Sequence, residues 1–441
     1  MKRGPVKVLL YSINFAPELT GIGKYNGEMV RWLTRHGYQV RVVTAPPYYP
    51  QWKIQAGYAG AKYAREAWEG ADVWRCPVWI PGRLSGAKRL LHLMSFALSS
   101  VPVLLRQMAW RPDVIFAVEP PLVAAPLAGL LGKLFRVRTW LHVQDFEVDA
   151  AFELGLLPDR KGLRRTVEGL ERWLLRRFDA VSSISGPMLR RLAAKGVPEQ
   201  RIRSFPNWVD IGAIHPLPEN APNAYRERLG YSAEQTVALY SGNMGEKQGL
   251  EVVLQAAERL QDDPRIRFVL CGDGVAKAKL ERLAREKGLA NVAFLPLQPM
   301  EQLNELLGMA DVHLLVQKRG ASDLVMPSKL TGMLASGRAV LATAEEGTAV
   351  HAVMAQAGAG IVVPPEDAAA LAAGLEQLAA DAESRAGCGV AARRYAVEQL
   401  GYESVMQAFH QSLTALGAGR RNEQERTEQE RNDKPHTVGS I

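Results

Sequence analysis

The chain lacks the residues that would place it in several familiar classes. Its three cysteines, Cys76, Cys271 and Cys388, are scattered over 441 residues with no metal-ligand spacing. They frame neither a disulfide scaffold nor a zinc site, and a reducing cytosol is the simplest setting. No D-x-D triplet occurs; the nearest approach is Glu147-Val148-Asp149, so no obligatory divalent metal is expected. The first strand begins near Val6 with no apolar signal core before it. The GxxxxGK[ST] loop of nucleotide hydrolases is missing, which argues against ATPase chemistry. Gly21, Gly23 and Gly27 imitate a dinucleotide fingerprint with one residue too many. The second strand then runs into Ala45-Pro46-Pro47 with no carboxylate for a ribose, which argues against a nicotinamide dehydrogenase. Arginines do not cluster with stacking aromatics, so nucleic acid is not an expected partner.

What is present is an ordinary globular composition, 47% apolar and 23% charged, in a chain too long for one comfortable core. Two domains are expected. The net charge of +8 is uneven: residues 1–205 hold 31 Lys+Arg against 16 Asp+Glu, residues 206–441 hold 23 against 30. The halves therefore carry +15 and −7, and a basic first half suits an anionic partner such as phosphates or a membrane leaflet.

Short apolar runs alternate with helical patterns, the mark of parallel sheets covered by helices. Strands are predicted near Val6–Ser12, Gln39–Thr44, Asp113–Val118, Thr139–Val143, Ala180–Ile184 and Arg201–Phe205. The second set falls near Thr236–Ser241, Arg267–Cys271, Val292–Leu295, Val312–Val316, Ala339–Thr343 and Gly360–Val363. Pro206 to Asp210, with Pro216 and Pro218 following, forms a turn-rich joint. The expected fold class is α/β, with two Rossmann-like doubly wound domains facing across a cleft. Their predicted bounds are 1–207 and 208–390, followed by a helix at 391–416 packing back on the first domain and a disordered tail at 417–441. The apolar segment Lys88 to Arg106 is read as too short and interrupted to span a membrane. It suits a buried helix, or one leaning on a membrane with Arg83, Lys88 and Arg89 meeting lipid phosphates.

Three loops suggest anion sites. Asn14 to Tyr25 follows the first strand, and Gly21 and Gly23 let backbone approach a ligand. Tyr240 to Leu250 opens the second domain in the same way, with Gly242, Asn243 and a lysine, Lys247, able to reach a phosphate. Ala321 to Leu330 reads as loop then helix start, offering Ser322, Asp323, Ser328 and backbone N–H groups, with Gly337 as the left-handed exit. Together they favour a nucleotide diphosphate held between domains. His142 and Asp145 end a first-domain strand, where ligand crevices form.

These runs, with Val43 to Pro50 and His142 to Asp149, make the chain resemble a retaining glycosyltransferase of family 4, of GT-B architecture. More closely it is similar to the bacterial colanic-acid-type exopolysaccharide glycosyltransferases, over about residues 5 to 415. The resemblance implies a GDP- or UDP-linked sugar donor, with fucose suggested by the subfamily, bound mainly by the second domain. It also implies a polyprenyl-pyrophosphate-linked oligosaccharide acceptor on the first domain, at the cytoplasmic face of the inner membrane, and no cofactor. By carry-over, His142, Asp145 and Asp323 are the catalytic candidates. Gly21, Gly23, Gly242, Asn243, Lys247, Gly272, Ser322, Leu324, Lys329 and Thr331 are the donor-binding ones. The chain departs from the family at Leu324 and Gly332, where two Glu residues are usual, and at Gln248, where a Lys is usual. Asp323 and Lys247 are expected to substitute by one-residue shifts. A GT-B nucleotide-sugar epimerase and a catalytically weak glycan- or nucleotide-binding homologue are the competing readings.

Overall fold

The computed structural model describes residues 5–82, 86–153, 160–218, 221–319 and 327–416. The chain divides into two compact units. Unit 1 takes Met1–Ile184, Leu189–Phe205 and Met406–Ile441; unit 2 takes Ser185–Met188 and Pro206–Val405.

Unit 1 is built on eight strands: β1 (Lys7–Tyr11), β2 (Gln39–Thr44), β3 (Ala64–Trp68), β4 (Ala71–Arg75), β5 (Val114–Glu119), β6 (Arg138–Val143), β7 (Ala180–Ser183) and β8 (Ile202–Ser204). They are ordered β3-β4-β2-β1-β5-β6-β7-β8, all parallel but for the β3/β4 pair. Its helices are α1 (Gly21–Arg35), α2 (Gly86–Met108), α3 (Ala125–Phe135), α4 (Glu147–Glu153), α5 (Lys161–Leu175) and, from Leu189 on, α6 (Gly186–Ala194). The sheet order reverses between β1 and β5, and β5 is buried along its whole length.

Unit 2 repeats the plan with β9 (Thr236–Ser241), β10 (Ile266–Cys271), β11 (Val292–Leu295), β12 (Val312–Leu315), β13 (Ala339–Thr343) and β14 (Gly360–Val363). The order is β11-β10-β9-β12-β13-β14, so its reversal lies between β9 and β12. The covering helices are α7 (Ala224–Leu229), α8 (Glu251–Arg259), α9 (Lys277–Glu286), α10 (Leu303–Gly308), α11 (Ser328–Ala335), α12 (Ala349–Ala357), α13 (Ala368–Ala380) and α14 (Ala382–Tyr395). All five residues of β13 are buried, and Gly337 before it has φ +68°, the left-handed exit read from sequence.

One device recurs at the amino ends of the strands. An Asp just before a strand accepts a backbone N–H from the amino end of the neighbouring strand: Asp113 from Lys7 (2.9 Å), Asp179 from Thr139 (2.8 Å) and Asp311 from Val237 (2.8 Å). Each carboxylate satisfies a backbone donor that has no strand partner there, and so pins the register. The carboxyl ends are left to the loops.

Three expectations need correction. The β3/β4 hairpin was not foreseen, because Ala64–Trp68 is polar and exposed for an edge strand; Glu69 (φ +45°) and Gly70 (φ +84°) make its turn. The single helix expected at 391–416 is two elements. α14 continues as a π-turn, Ala396–Leu400, and belongs to unit 2; the chain breaks at Gly401, and a helix over 402–416 follows. Phe409 of that helix stacks on Phe205 at 4.4 Å and meets Phe116 and Trp140, all within unit 1. Finally, α2 is uninterrupted for 23 residues despite Pro102, long and apolar enough to cross a membrane. Packing gives it another place: His92, Phe96, Ser100, Leu104 and Gln107 are buried in unit 1. The tail from 417 and Arg83 lie outside the described residues.

Candidate active site

In unit 2 the groups converge where the sheet order reverses, the position at which doubly wound sheets bind ligands. Tyr240, on β9, is fully buried and donates its hydroxyl to the Asn243 carbonyl at 2.5 Å. Lys329, in the first turn of α11, bonds the same hydroxyl. Its ammonium lies 4.3 Å from the Tyr240 ring centroid and 3.5 Å from the Asn243 carbonyl. Half-buried against the ring, it pairs with no carboxylate among the described residues. Burial lowers its pKa to about 8.

Two glycines make this arrangement fit. Gly242 has φ +138°, and a Cβ there would stand 2.3 Å from Lys329 Cε. Gly272, φ +148°, would place a Cβ 2.0 Å from the Gly242 carbonyl oxygen. The exits of β9 and β10 can therefore lie against each other, joined by Gly242 N–H to the Cys271 carbonyl at 2.9 Å. Thr331 is spent elsewhere: it is buried, and its hydroxyl donates to the Ser328 carbonyl at 2.8 Å. Gln248, at the family's lysine position, accepts the Gly245 N–H at 3.1 Å. Ser322, Asp323, Leu324 and the Lys247 side chain lie outside the described residues.

In unit 1 the glycine loop after β1 is held by a residue given no role in the sequence reading. Glu18 is 2% exposed; its Oε1 accepts the backbone N–H groups of Tyr48 (3.0 Å) and Tyr49 (2.9 Å), and Asn14 donates to its Oε2 (3.0 Å). One carboxylate thus ties the β1 loop to the β2 loop. A Cβ on Gly23 would meet its Oε2 at 2.4 Å, and this is what glycine allows there. Gly21, at the start of α1, has φ +60°. Burial raises the Glu18 pKa, opposed by those hydrogen bonds. Arg75, 1% exposed, adds a second tie: it pairs with Glu66 and donates to the carbonyls of Ala16 (2.6 Å) and Ala45 (2.9 Å).

His142 is not presented to a ligand in this structure. It is 2% exposed, between Phe116 and Phe205, with Gln144 Nε2 at 3.1 Å from its Nε2. That donor leaves the ring proton on Nδ1, 2.8 Å from Ser182 Oγ. Desolvation drops its pKa to about 3, so it is neutral near pH 7. Asp145 is half-buried, and its neighbours Glu147 and Asp149 are engaged in the scaffold. Glu147 accepts the Leu122 N–H at 2.6 Å, and Asp149 pairs with Arg191 and Lys195. The three carboxylates near His142 therefore do not form one set. Glu119, at the end of β5, was missed altogether. It is fully buried, neither of its oxygens has a hydrogen-bond partner among the described residues, and burial beside Glu147 pushes its pKa well up.

Of these missed residues, Tyr240 and Glu18 stand inside runs that sequence reading singled out. The signal was their position at a strand end and in a glycine loop. Arg75 and Glu119 gave none, because burial of a charged residue is invisible in a strand pattern.

Two doubly wound units in one chain are the framework of the GT-B glycosyltransferases. Comparison with known proteins agrees. Residues 20–208 match the Glycosyl transferase 4-like domain and residues 223–395 the Glycosyl transferases group 1 family. The chain is 46% identical over 408 residues to a protein of Escherichia coli K12 provisionally named the colanic acid biosynthesis glycosyl transferase WcaI, covering 92% of this chain and 98% of that one. It belongs to this glycosyltransferase family and is a glycosyltransferase. Sucrose-phosphate synthase of Thermosynechococcus elongatus shares the fold, with TM-score 0.70 at 17% identity over 94% of this chain and 100% of that one. HepE of Anabaena, solved with UDP and glucose, does so with TM-score 0.64 at 15% identity over 93% and 100%.

Proposed function

We propose that the enzyme moves a sugar from a nucleotide-diphosphate-sugar to a lipid-linked oligosaccharide, with retention of anomeric configuration, in colanic-acid-like exopolysaccharide assembly. The observation that carries the donor part is Lys329, a cation half-buried over Tyr240 with no carboxylate partner among the described residues. As the glycosidic bond breaks, negative charge grows on the departing diphosphate. A fixed ammonium there acts where charge develops, which is where electrostatic preorganisation contributes most. Gly242 and Gly272 put no side chain between their backbones and that ammonium. No described residue stands out as a covalent nucleophile, and departure and attack on one face of an ion pair fits retention. The missing D-x-D triplet supports donor binding without an obligatory divalent metal. The colanic-acid assignment rests on likeness to WcaI, and the lipid-linked acceptor and peripheral membrane location follow from it. Fucose and the base, GDP or UDP, come from the subfamily alone.

A thermal-shift panel of GDP-, UDP-, ADP- and dTDP-sugars tests the reading, since a ligand of the native state raises its melting temperature. One nucleotide class is expected to raise it. Lys329→Met should then weaken that ligand by about 1.5–3 kcal/mol, roughly 10- to 150-fold in Kd, the range for a charge-assisted hydrogen bond. A panel without any shift, or a Met variant that binds like the parent, would sink the proposal. Epimerised donor appearing without acceptor would favour the epimerase.

A further inference from the structure

One helical layer of unit 1 is covered unlike the rest of the protein. The connections β4 to β5, β5 to β6 and β6 to β7 all advance the same way across the sheet. Right-handed crossovers therefore put α2, α3 and α5 on one face, and α3 touches both others. Of the nineteen large apolar side chains exposed among the described residues, eleven sit on these three helices. Leu91 and Leu98 on α2, Leu130 and Leu134 on α3, and Leu170 and Trp173 on α5 are each more than half exposed. Four on unit 2 complete the contrast.

Among this apolar surface α5 carries a concentrated positive charge. Arg165, Arg172, Arg176 and Arg177 line an open groove with Trp173, and Arg177 lies 4.6 Å over the Trp173 ring centroid. Glu168 pairs with Arg172 and with Arg164, while Glu171 is buried on Lys195. One half-buried carboxylate thus faces several guanidinium groups. An apolar body edged by arginines and a tryptophan matches a headgroup–acyl boundary carrying negative charge.

We propose that the α2–α3–α5 face docks on an anionic bilayer, with the leucines entering the interface and the α5 arginines binding lipid phosphate. The inference deepens the membrane part of the functional reading, moving the charge recognition from α2 to α5. The test is flotation of the full chain with vesicles of phosphatidylcholine alone or of equimolar phosphatidylcholine and phosphatidylglycerol. Binding to the anionic vesicles that is released by high salt is expected, with little binding to the neutral ones. Each positive charge removed should weaken binding about fivefold, so Arg165→Glu/Arg177→Glu should abolish flotation while keeping the parent's melting temperature and nucleotide-sugar binding. Leu170→Ser/Trp173→Ser should also lose it, and Arg282→Glu on unit 2 should not. Equal binding to both vesicle types, or flotation of the arginine variant like the parent, overturns the inference. A parent that binds nucleotide-sugar yet does not float sinks this inference alone; one that floats yet binds no nucleotide-sugar sinks the donor reading alone.

Discussion

The two units share one topology and use it differently. In unit 1 the carboxyl end of the sheet is tied together by buried polar groups: Glu18 holds two loops, Arg75 holds two carbonyls, and His142 is enclosed by aromatics. In unit 2 the corresponding end presents an ammonium on a tyrosine, beside glycines that keep side chains away. The outer surfaces diverge as well, apolar and basic on one helical layer of unit 1, polar on unit 2. Topology set where a site can stand in each unit; side chains set what each end does.

The contrast can be broken most strongly by removing its structural supports. Arg75→Ala leaves two buried carbonyls without their donor, while Glu66, one-third exposed, can turn to water; a loss of about 2–6 kcal/mol is expected, the range for two unsatisfied buried groups. Gly272→Ala forces a Cβ onto the Gly242 carbonyl and should cost about 2–4 kcal/mol, from strain and overpacking together. Hydrogen exchange should find the first loss in unit 1 and the second in unit 2. Protection falling equally in both units for either variant would show that they do not fold as separately as their contacts suggest.

Acid sharpens what the units have in common. Each buries a histidine whose pKa is lowered to about 3 by desolvation, His142 in unit 1 and His313 in unit 2. The unfolded chain takes these protons first, near pH 6.5, so the histidines' contribution to stability is full above that pH and falls as pH drops toward 3. Each histidine contributes a slope of up to about 1.4 kcal/mol per pH unit. His142→Asn should remove its share in denaturant titrations run across this range; an unchanged slope would mean that the ring titrates in the folded state.

The smallest effect distinguishes unit 2. Lys329, at about 8, must be protonated to meet a diphosphate. Donor affinity should hold below pH 8 and fall by at most about tenfold per pH unit above it. Calorimetry on the parent and on Lys329→Met reads this directly, since the variant should lose the pH dependence along with the affinity.

Much of the frame was legible beforehand because it is local. Apolar runs such as Ala339–Thr343 have one reading when both faces are covered by helices, and a glycine at Gly337 ends a helix for reasons of backbone alone. β3 escaped because an exposed edge strand needs no apolar alternation. The candidate site was legible in part: Gly242, Gly272 and Lys329 were all named from sequence, and the fold brings them side by side. His142 was read as facing a ligand, since a strand pattern gives the end of a strand but not the direction of a ring whose nitrogens meet Ser182 on the next strand and Gln144 two residues on.

By itself, then, the order of residues determined the two doubly wound units, the glycine turns at their strand exits and the family, since these follow from periodicity, backbone freedom and short motifs. Only the tertiary structure decided that Lys329 rests on Tyr240, that Glu18 and Arg75 clamp loops far apart in the chain, and that one side of α2 is buried while the other is bare. Those outcomes depend on which surfaces meet after the chain has closed on itself, and burial is a property of neighbours rather than of sequence position.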